Sequence, residues 1–138
     1  MALTKVEIVT PLRQIMLEQV TYLRAPSSDG LFGVKPRHAH AIFALNVGEL
    51  AVEIGGKKQF FAIGGGYAEV FGDHIMLIVQ SAERADEIDT ERAKLAVQRA
   101  KERLAKHADP DAEIVDFDRA EIALKRALNR LSIAGKNK

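Results

Sequence analysis

Cysteine is absent from all 138 residues, so neither a disulfide framework nor a thiolate metal site can form, and the chain is compatible with a reducing compartment. An excess of one charge is missing too, since 20 basic and 19 acidic residues leave a formal net charge of +1. That balance supplies no bulk pull toward nucleic acid or an anionic membrane, so any anion site must be built locally. Aromatic residues amount to 6%, which together with the balanced charge argues against a nucleic-acid-binding module. No apolar run approaches the roughly 18 residues of a spanning helix, and Met1 to Pro11 lacks the charged and apolar regions of a signal peptide. Ser27, Ser28 and the scattered acids make no local nucleophile or acid–base set, so no catalysis by this chain alone is expected.

What is present begins with an ordinary globular balance, 47% apolar and 28% charged, with room for one domain or two small ones. Up to about Val79 the texture is that of strands. Val6, Ile8 and Ile15 to Leu23 are β-rich, and Leu50, Val52 and Ile54 alternate with Ala51 and Glu53 before a Gly55-Gly56 turn. Phe60 to Ile63 resumes a strand, Gly64 to Gly66 interrupts it, and Tyr67 to Phe71 turns at Gly72-Asp73 into Ile75 to Val79. Asp29-Gly30 marks another turn. Strands punctuated this way predict an antiparallel β-sandwich or flattened barrel over 1–84. From 85 to 138 the composition favours helix.

That second part repeats itself. Ile88, Asp89, Arg92, Ala93, Arg99, Ala100, Arg103 and Leu104 recur 27 residues later as Val115, Asp116, Arg119, Ala120, Arg126, Ala127, Arg130 and Leu131. At roughly 100° per residue, Arg92, Arg99 and Arg103 fall on one stripe, and Arg119, Arg126 and Arg130 on another. Next to the first stripe runs the seam Ala93, Val97, Ala100 and Leu104; next to the second, Ala120, Leu124, Ala127 and Leu131. Small seam residues let two helices approach closely, and the product is an antiparallel helical hairpin. Asp89 can cap the first helix, while Asp118 with Glu121 has capping-box spacing at the second. Asp109-Pro110-Asp111 lies between them as a turn with a helix breaker, and the last residues from Gly135 are expected to fray.

Two readings of the arginines stay open on pattern alone. They are solvated helix positions paired with Glu91, Glu102 and Glu121 at helical spacing, or the closed hairpin brings both rows within a Debye length of about 8 to 10 Å, where an anion between them relieves the repulsion. Two sharper motifs carry less. His38 and His40 would share a strand face, but a third metal ligand is not suggested nearby. Gly64-Gly65-Gly66 lacks the Gly-Lys-Ser/Thr of a phosphate loop and reads as a bulge or close backbone approach.

The order of parts resembles the epsilon subunit of bacterial F-type ATP synthase over essentially the whole chain. The residues carrying the resemblance are Val9-Thr10-Pro11, Gly30-Leu31-Phe32-Gly33-Val34, Pro36 with His38-Ala39, Gly65-Gly66-Tyr67 with Glu69-Val70, and Ala82-Glu83-Arg84-Ala85. Ile88-Asp89-Thr90-Glu91-Arg92-Ala93 then looks like the family's nucleotide-binding motif. Lys35 to His40 departs from the more usual Leu-Pro-Gly-His-Ala-Pro, and the segment between the helices, His107 to Glu113, is long.

The resemblance implies a noncatalytic central-stalk subunit of a rotary proton-translocating ATP synthase. Its 1–84 domain would dock on the gamma subunit and the c-ring. Its 85–138 hairpin would either fold on that domain or extend toward the alpha/beta catalytic head and impede ATP hydrolysis. By the same resemblance, Glu83, Ile88, Asp89, Arg92, Ala93, Arg99, Arg126 and Arg130 would hold ATP as a regulatory ligand, with magnesium left open. The chain would then sit peripherally at the cytoplasmic face of the bacterial inner membrane, through its partners. The alternatives are a free-standing ATP-sensing or protein-interaction module and, more remotely, nucleic-acid binding through the arginines.

Overall fold

The computed structural model describes residues 4–27, 30–34, 38–106 and 114–136. Nine strands come first: β1 (Thr4–Val9), β2 (Gln14–Ser27), β3 (Gly30–Val34), β4 (His38–Leu45), β5 (Gly48–Ile54), β6 (Lys57–Ile63), β7 (Gly66–Gly72), β8 (His74–Val79) and β9 (Ala82–Arg84). A 3-10 turn (Ala85–Glu87) leads to the helices α1 (Thr90–Lys106) and α2 (Ile114–Ile133).

The long strand β2 makes the sandwich. Its first half pairs with β1 and its second half with β3 and β5. Between the halves Gln19 takes a left-handed φ of 59°, where the register against β1 slips between Thr4 and Val6. A bulge of this kind bends a strand, so one segment can serve two layers. One layer runs β4-β7-β8-β1-β2 and the other β3-β2-β5-β6-β9. The inward rows enclose one core containing Ile8, Leu23, Leu50, Phe61, Ile75 and Leu77. The expected sandwich is present, with one departure from an antiparallel pattern. β1 lies between β2 and β8, antiparallel to β2 and parallel to β8.

The glycine turns follow their chemistry. Ile54 faces Lys57, leaving Gly55 and Gly56 as a two-residue loop with φ of 59° and 77°, the type I′ requirement. Gly66 opens β7 so close to β8 that a Cβ there would lie 1.9 Å from the Ile78 carbonyl oxygen. This is the close backbone approach expected of the triple glycine. Residue 29 of the Asp29-Gly30 turn, the Asp109-Pro110-Asp111 turn, and residues 137 and 138 lie outside the described residues.

Asp89 caps α1. Its Oδ1 accepts the Arg92 backbone N–H at 3.1 Å, and its carbonyl accepts that of Ala93 at 3.0 Å. Asp118 does not cap α2, which begins at Ile114; with Pro110 further upstream, nothing in 114–118 stops the helix. The 27-residue repeat therefore holds along the seams and not at the starts, because Asp116 lies inside α2. Ala93, Val97 and Ala100 of one seam and Ala120 and Ala127 of the other are buried, and the helices pack along one another as a hairpin.

Candidate functional site

The outward face of β5, β6 and β9 positions the site. Glu49 faces Ala62 across one ladder and Ala62 faces Glu83 across the next, so an acid–alanine–acid row crosses three strands at roughly 4.8 Å spacing. The end of α2 lies on this row. Arg130 meets Glu83 side-on, with Nη2 donating to Oε2 at 3.1 Å and Nε 2.7 Å from Oε1. The second contact is an ion pair without hydrogen-bond alignment, since Nε makes no well-directed hydrogen bond. Ile133 packs with Ala62, Ala85, Ile88 and Ala134 against Phe60. Lys136 meets Glu49, whose other oxygen takes Arg24 at 2.9 Å, and its Nζ lies 5.3 Å from the Phe60 ring centre. Asn129 donates to the Gly48 carbonyl at 2.9 Å.

Immediately beside this contact is a pocket of about 300 Å³. Ser81 and Glu83 line it from the sheet, Ala96 from α1, and Arg126, Asn129 and Arg130 from α2. A volume of this size is at the lower end for a small-molecule site. Arg126 is exposed and has no ion pair among the described residues, whereas Arg130 is ion-paired with Glu83. An anion entering here would meet one unpaired guanidinium and a second held by a carboxylate.

The structure therefore brings together Glu83, Arg126 and Arg130. Arg92 and Arg99 are exposed on α1 and do not line the pocket, to which α1 contributes Ala96 instead. Ile88 and Ala93 are buried at 8% and 0% exposure, so their contribution is to packing, which places Asp89 and Arg92. The proposed solvated pairing of arginines with helical acids is also absent among the described residues, since Glu91 pairs with Lys94 at 3.5 Å and Glu102 accepts from Gln98 at 3.4 Å. Sequence reasoning missed Asn129, Ser81 and Lys136. The available signal was that Arg130 and Ile133 lie three apart on one helix face, with Lys136 three residues further on.

Arg13 secures the connection between sheet and hairpin. Its Nη2 donates to the Ala82 carbonyl at 2.5 Å and to Glu87 Oε2 at 2.9 Å. The Arg13 guanidinium holds the Glu87 carboxyl below its usual value, outweighing the opposing effect of partial burial.

A second surface lies on the other layer. Ala44, Tyr67, Ile78, Val9 and Gln14 form one cross-strand row over β4, β7, β8, β1 and β2. The next row reads Ile42, Glu69, Met76, Glu7 and Met16. Ile42, Tyr67 and Ile78 are 69%, 63% and 52% exposed, a contiguous apolar strip of the kind that marks an interaction face. His40 stands at the edge of this face, 3.3 Å from Glu69; the His38 side chain is outside the described residues. No helix among the described residues is long and apolar enough to cross a membrane.

A two-layer sandwich with a helical hairpin folded on its outer face, a small charged pocket between them and an exposed apolar strip on the far layer has the form of a protein-interaction module rather than an enzyme core. Comparison with known proteins gives the family. Residues 3–85 match the beta-sandwich domain of the ATP synthase delta/epsilon chain, and residues 86–135 match its long alpha-helix domain. The chain belongs to the ATP synthase delta/epsilon chain family. It is similar to the ATP synthase epsilon chain of Geotalea uraniireducens, 47% identical over 107 residues covering 78% of each chain. It is also similar to that of Desulforamulus reducens, 45% identical over 100 residues covering 72% of this chain and 76% of the relative. Among solved structures, a chain of the Euglena gracilis mitochondrial ATP synthase (OSCP/F1/c-ring, rotational state 1) superposes with a TM-score of 0.78 at 26% identity, covering 94% of this chain and 79% of that one.

Proposed function

We propose that the chain is a noncatalytic central-stalk subunit of a rotary proton-translocating ATP synthase, that it restrains ATP hydrolysis through its hairpin, and that the folded hairpin binds ATP. The observation that carries the ligand reading is the pocket between Ser81 and Glu83 on the sheet and Arg126, Asn129 and Arg130 on α2. It exists only while the hairpin lies on the sandwich, so a ligand held there stabilises the folded state by its differential affinity. Arg126 would meet the phosphates directly, and Arg130 would share its guanidinium between Glu83 and the ligand. Arg92 and Arg99 would join through a modest shift of α1, since nothing among the described residues engages their side chains.

The apolar strip of Ile42, Tyr67 and Ile78 supports docking of the sandwich on the gamma subunit, with the c-ring and the alpha/beta head as further partners. Membrane association would then be peripheral, at the cytoplasmic face, and through the complex alone.

The test is calorimetric titration of ATP, with and without magnesium, into the wild-type chain and into Arg92→Ala/Arg126→Ala. Saturable binding that the double variant loses supports the nucleotide reading, and no binding by the wild type removes it. Failure to form a complex with a cognate gamma subunit would sink the central-stalk reading.

A further inference from the structure

Three outward residues of the sheet match, in order and in charge, two residues of α2 and one of the turn that follows it. Across β5, β6 and β9 the row is Glu49, Ala62, Glu83; the partners are Lys136 in the turn after α2, and Ile133 and Arg130 on its last turn. Neighbouring strands are roughly 4.8 Å apart, and helix positions three apart are spaced about 5 to 6 Å, so the two rows fit each other in one register. Shifting α2 by a turn would set an isoleucine or an alanine against a carboxylate. Among the described residues α1 has no comparable attachment to the sheet, whereas α2 packs on β5 and β6.

We infer that Lys136 and Glu49, outside the pocket, form with Arg130–Glu83 a charge-keyed latch around the Ile133 contact, and that this latch sets how often the hairpin leaves the sandwich. Its regulatory consequence rests on the nucleotide reading above, because any ligand of the pocket requires the docked state and therefore inherits the latch equilibrium. The Glu49 side chain is only 17% exposed and is shared with Arg24, so release of Lys136 leaves a half-satisfied, largely buried carboxylate, unlike the loss of a surface pair. Lys136 is a positioning residue that touches no pocket ligand.

The absence of cysteine makes opening directly readable. A thiol introduced as Ala85→Cys packs in the Ile133 cluster, away from the pocket lining, and reacts with a maleimide when α2 lifts. Val52→Cys, in the inner core, reports opening of the sheet itself. In the Ala85→Cys background, Lys136→Ala should raise the labelling rate about two- to fivefold, and Lys136→Glu, which sets a carboxylate beside Glu49, about tenfold. Lys136→Arg should restore the original rate, and Val52→Cys labelling should not change. Saturating ATP should slow Ala85→Cys labelling in every variant, because a ligand of the pocket holds the docked state. If Lys136→Ala and Lys136→Glu label at the wild-type rate, the latch is overturned. If they accelerate labelling while ATP leaves it unchanged in every variant, the latch stands and the nucleotide reading fails.

Discussion

Replacing Ile133 by alanine should detach the hairpin without unfolding the sandwich. The side chain is fully buried between Ala62, Ala85, Ala134 and Ile88, with Phe60 packed alongside. Truncation removes three carbons at about 0.8 kcal/mol each. A cavity term adds to this, because three of the neighbours are alanines with no side chain that can swing into the space. The total is about 3 kcal/mol, or about a hundredfold in the docking equilibrium. That cost falls on a satellite cluster outside the main core, whose Leu23, Leu50 and Phe61 are untouched. Two intrinsic probes separate the parts. Tyr22 on β2 and Tyr67 on β7 are the chain's two tyrosines, so tyrosine emission follows the sheet, while far-ultraviolet circular dichroism is dominated by the helices. In urea the helix transition should move to much lower concentration in Ile133→Ala while the tyrosine transition keeps its midpoint. If both transitions move together, or neither moves by as much as about 1 kcal/mol, the reasoning is refuted, and the hairpin is held by something other than this contact.

Three further outcomes follow from the geometry. Gly66→Ala should cost more than about 3 kcal/mol or prevent folding, read by thermal melting, because the new Cβ would sit 1.9 Å from the Ile78 oxygen and 2.8 Å from the Val79 Cα, both backbone atoms. Gln19→Gly should raise stability by about 0.5 kcal/mol in urea titration, since the left-handed conformation costs an L-residue about 1 to 2 kcal/mol and glycine's larger unfolded-state entropy cancels part of the gain. Glu87, held below its usual carboxylate value by Arg13, contributes stability that is present above its unfolded pKa and is lost as pH falls through the folded one. Arg13→Gln should therefore flatten the acid limb of a stability–pH profile below about pH 4.5. Because the two side chains are 40% and 43% exposed, that effect is a few tenths of a kcal/mol after solvent screening.

Much of the architecture was legible because it depends on local periodicity. The glycine turns at 55–56 and 72–73, the alternation along β5 and the alanine seams of the hairpin each follow from neighbouring residues and reappear in the structure. The segment between the helices was read as ending at Glu113, and α2 begins at Ile114; the capping role of Asp118 was misread, since Asp118 and Glu121 satisfy a capping pattern wherever they fall and only the actual path of the chain shows that the helix is already under way. The parallel pairing of β1 with β8 joins residues about seventy positions apart, and no local pattern encodes it. In the candidate site, Glu83 and Arg130 were both named from sequence, but their mutual engagement was not foreseen; an ion pair across 47 residues depends on how the hairpin lies on the sandwich.

By itself, the sequence determined that this chain has a strand-rich part followed by a pair of matched helices, that it contains no thiol chemistry, and that a row of arginines flanks each helical seam, because composition and short-range periodicity are properties of the chain before it folds. Only the tertiary structure decided which arginines face the pocket, that Ala96 takes the place on α1 where an arginine was expected, and that Lys136, Ile133 and Arg130 fall on Glu49, Ala62 and Glu83. Those matches arise where strand spacing and helix pitch meet, and distances of that kind come into being when the two layers pack.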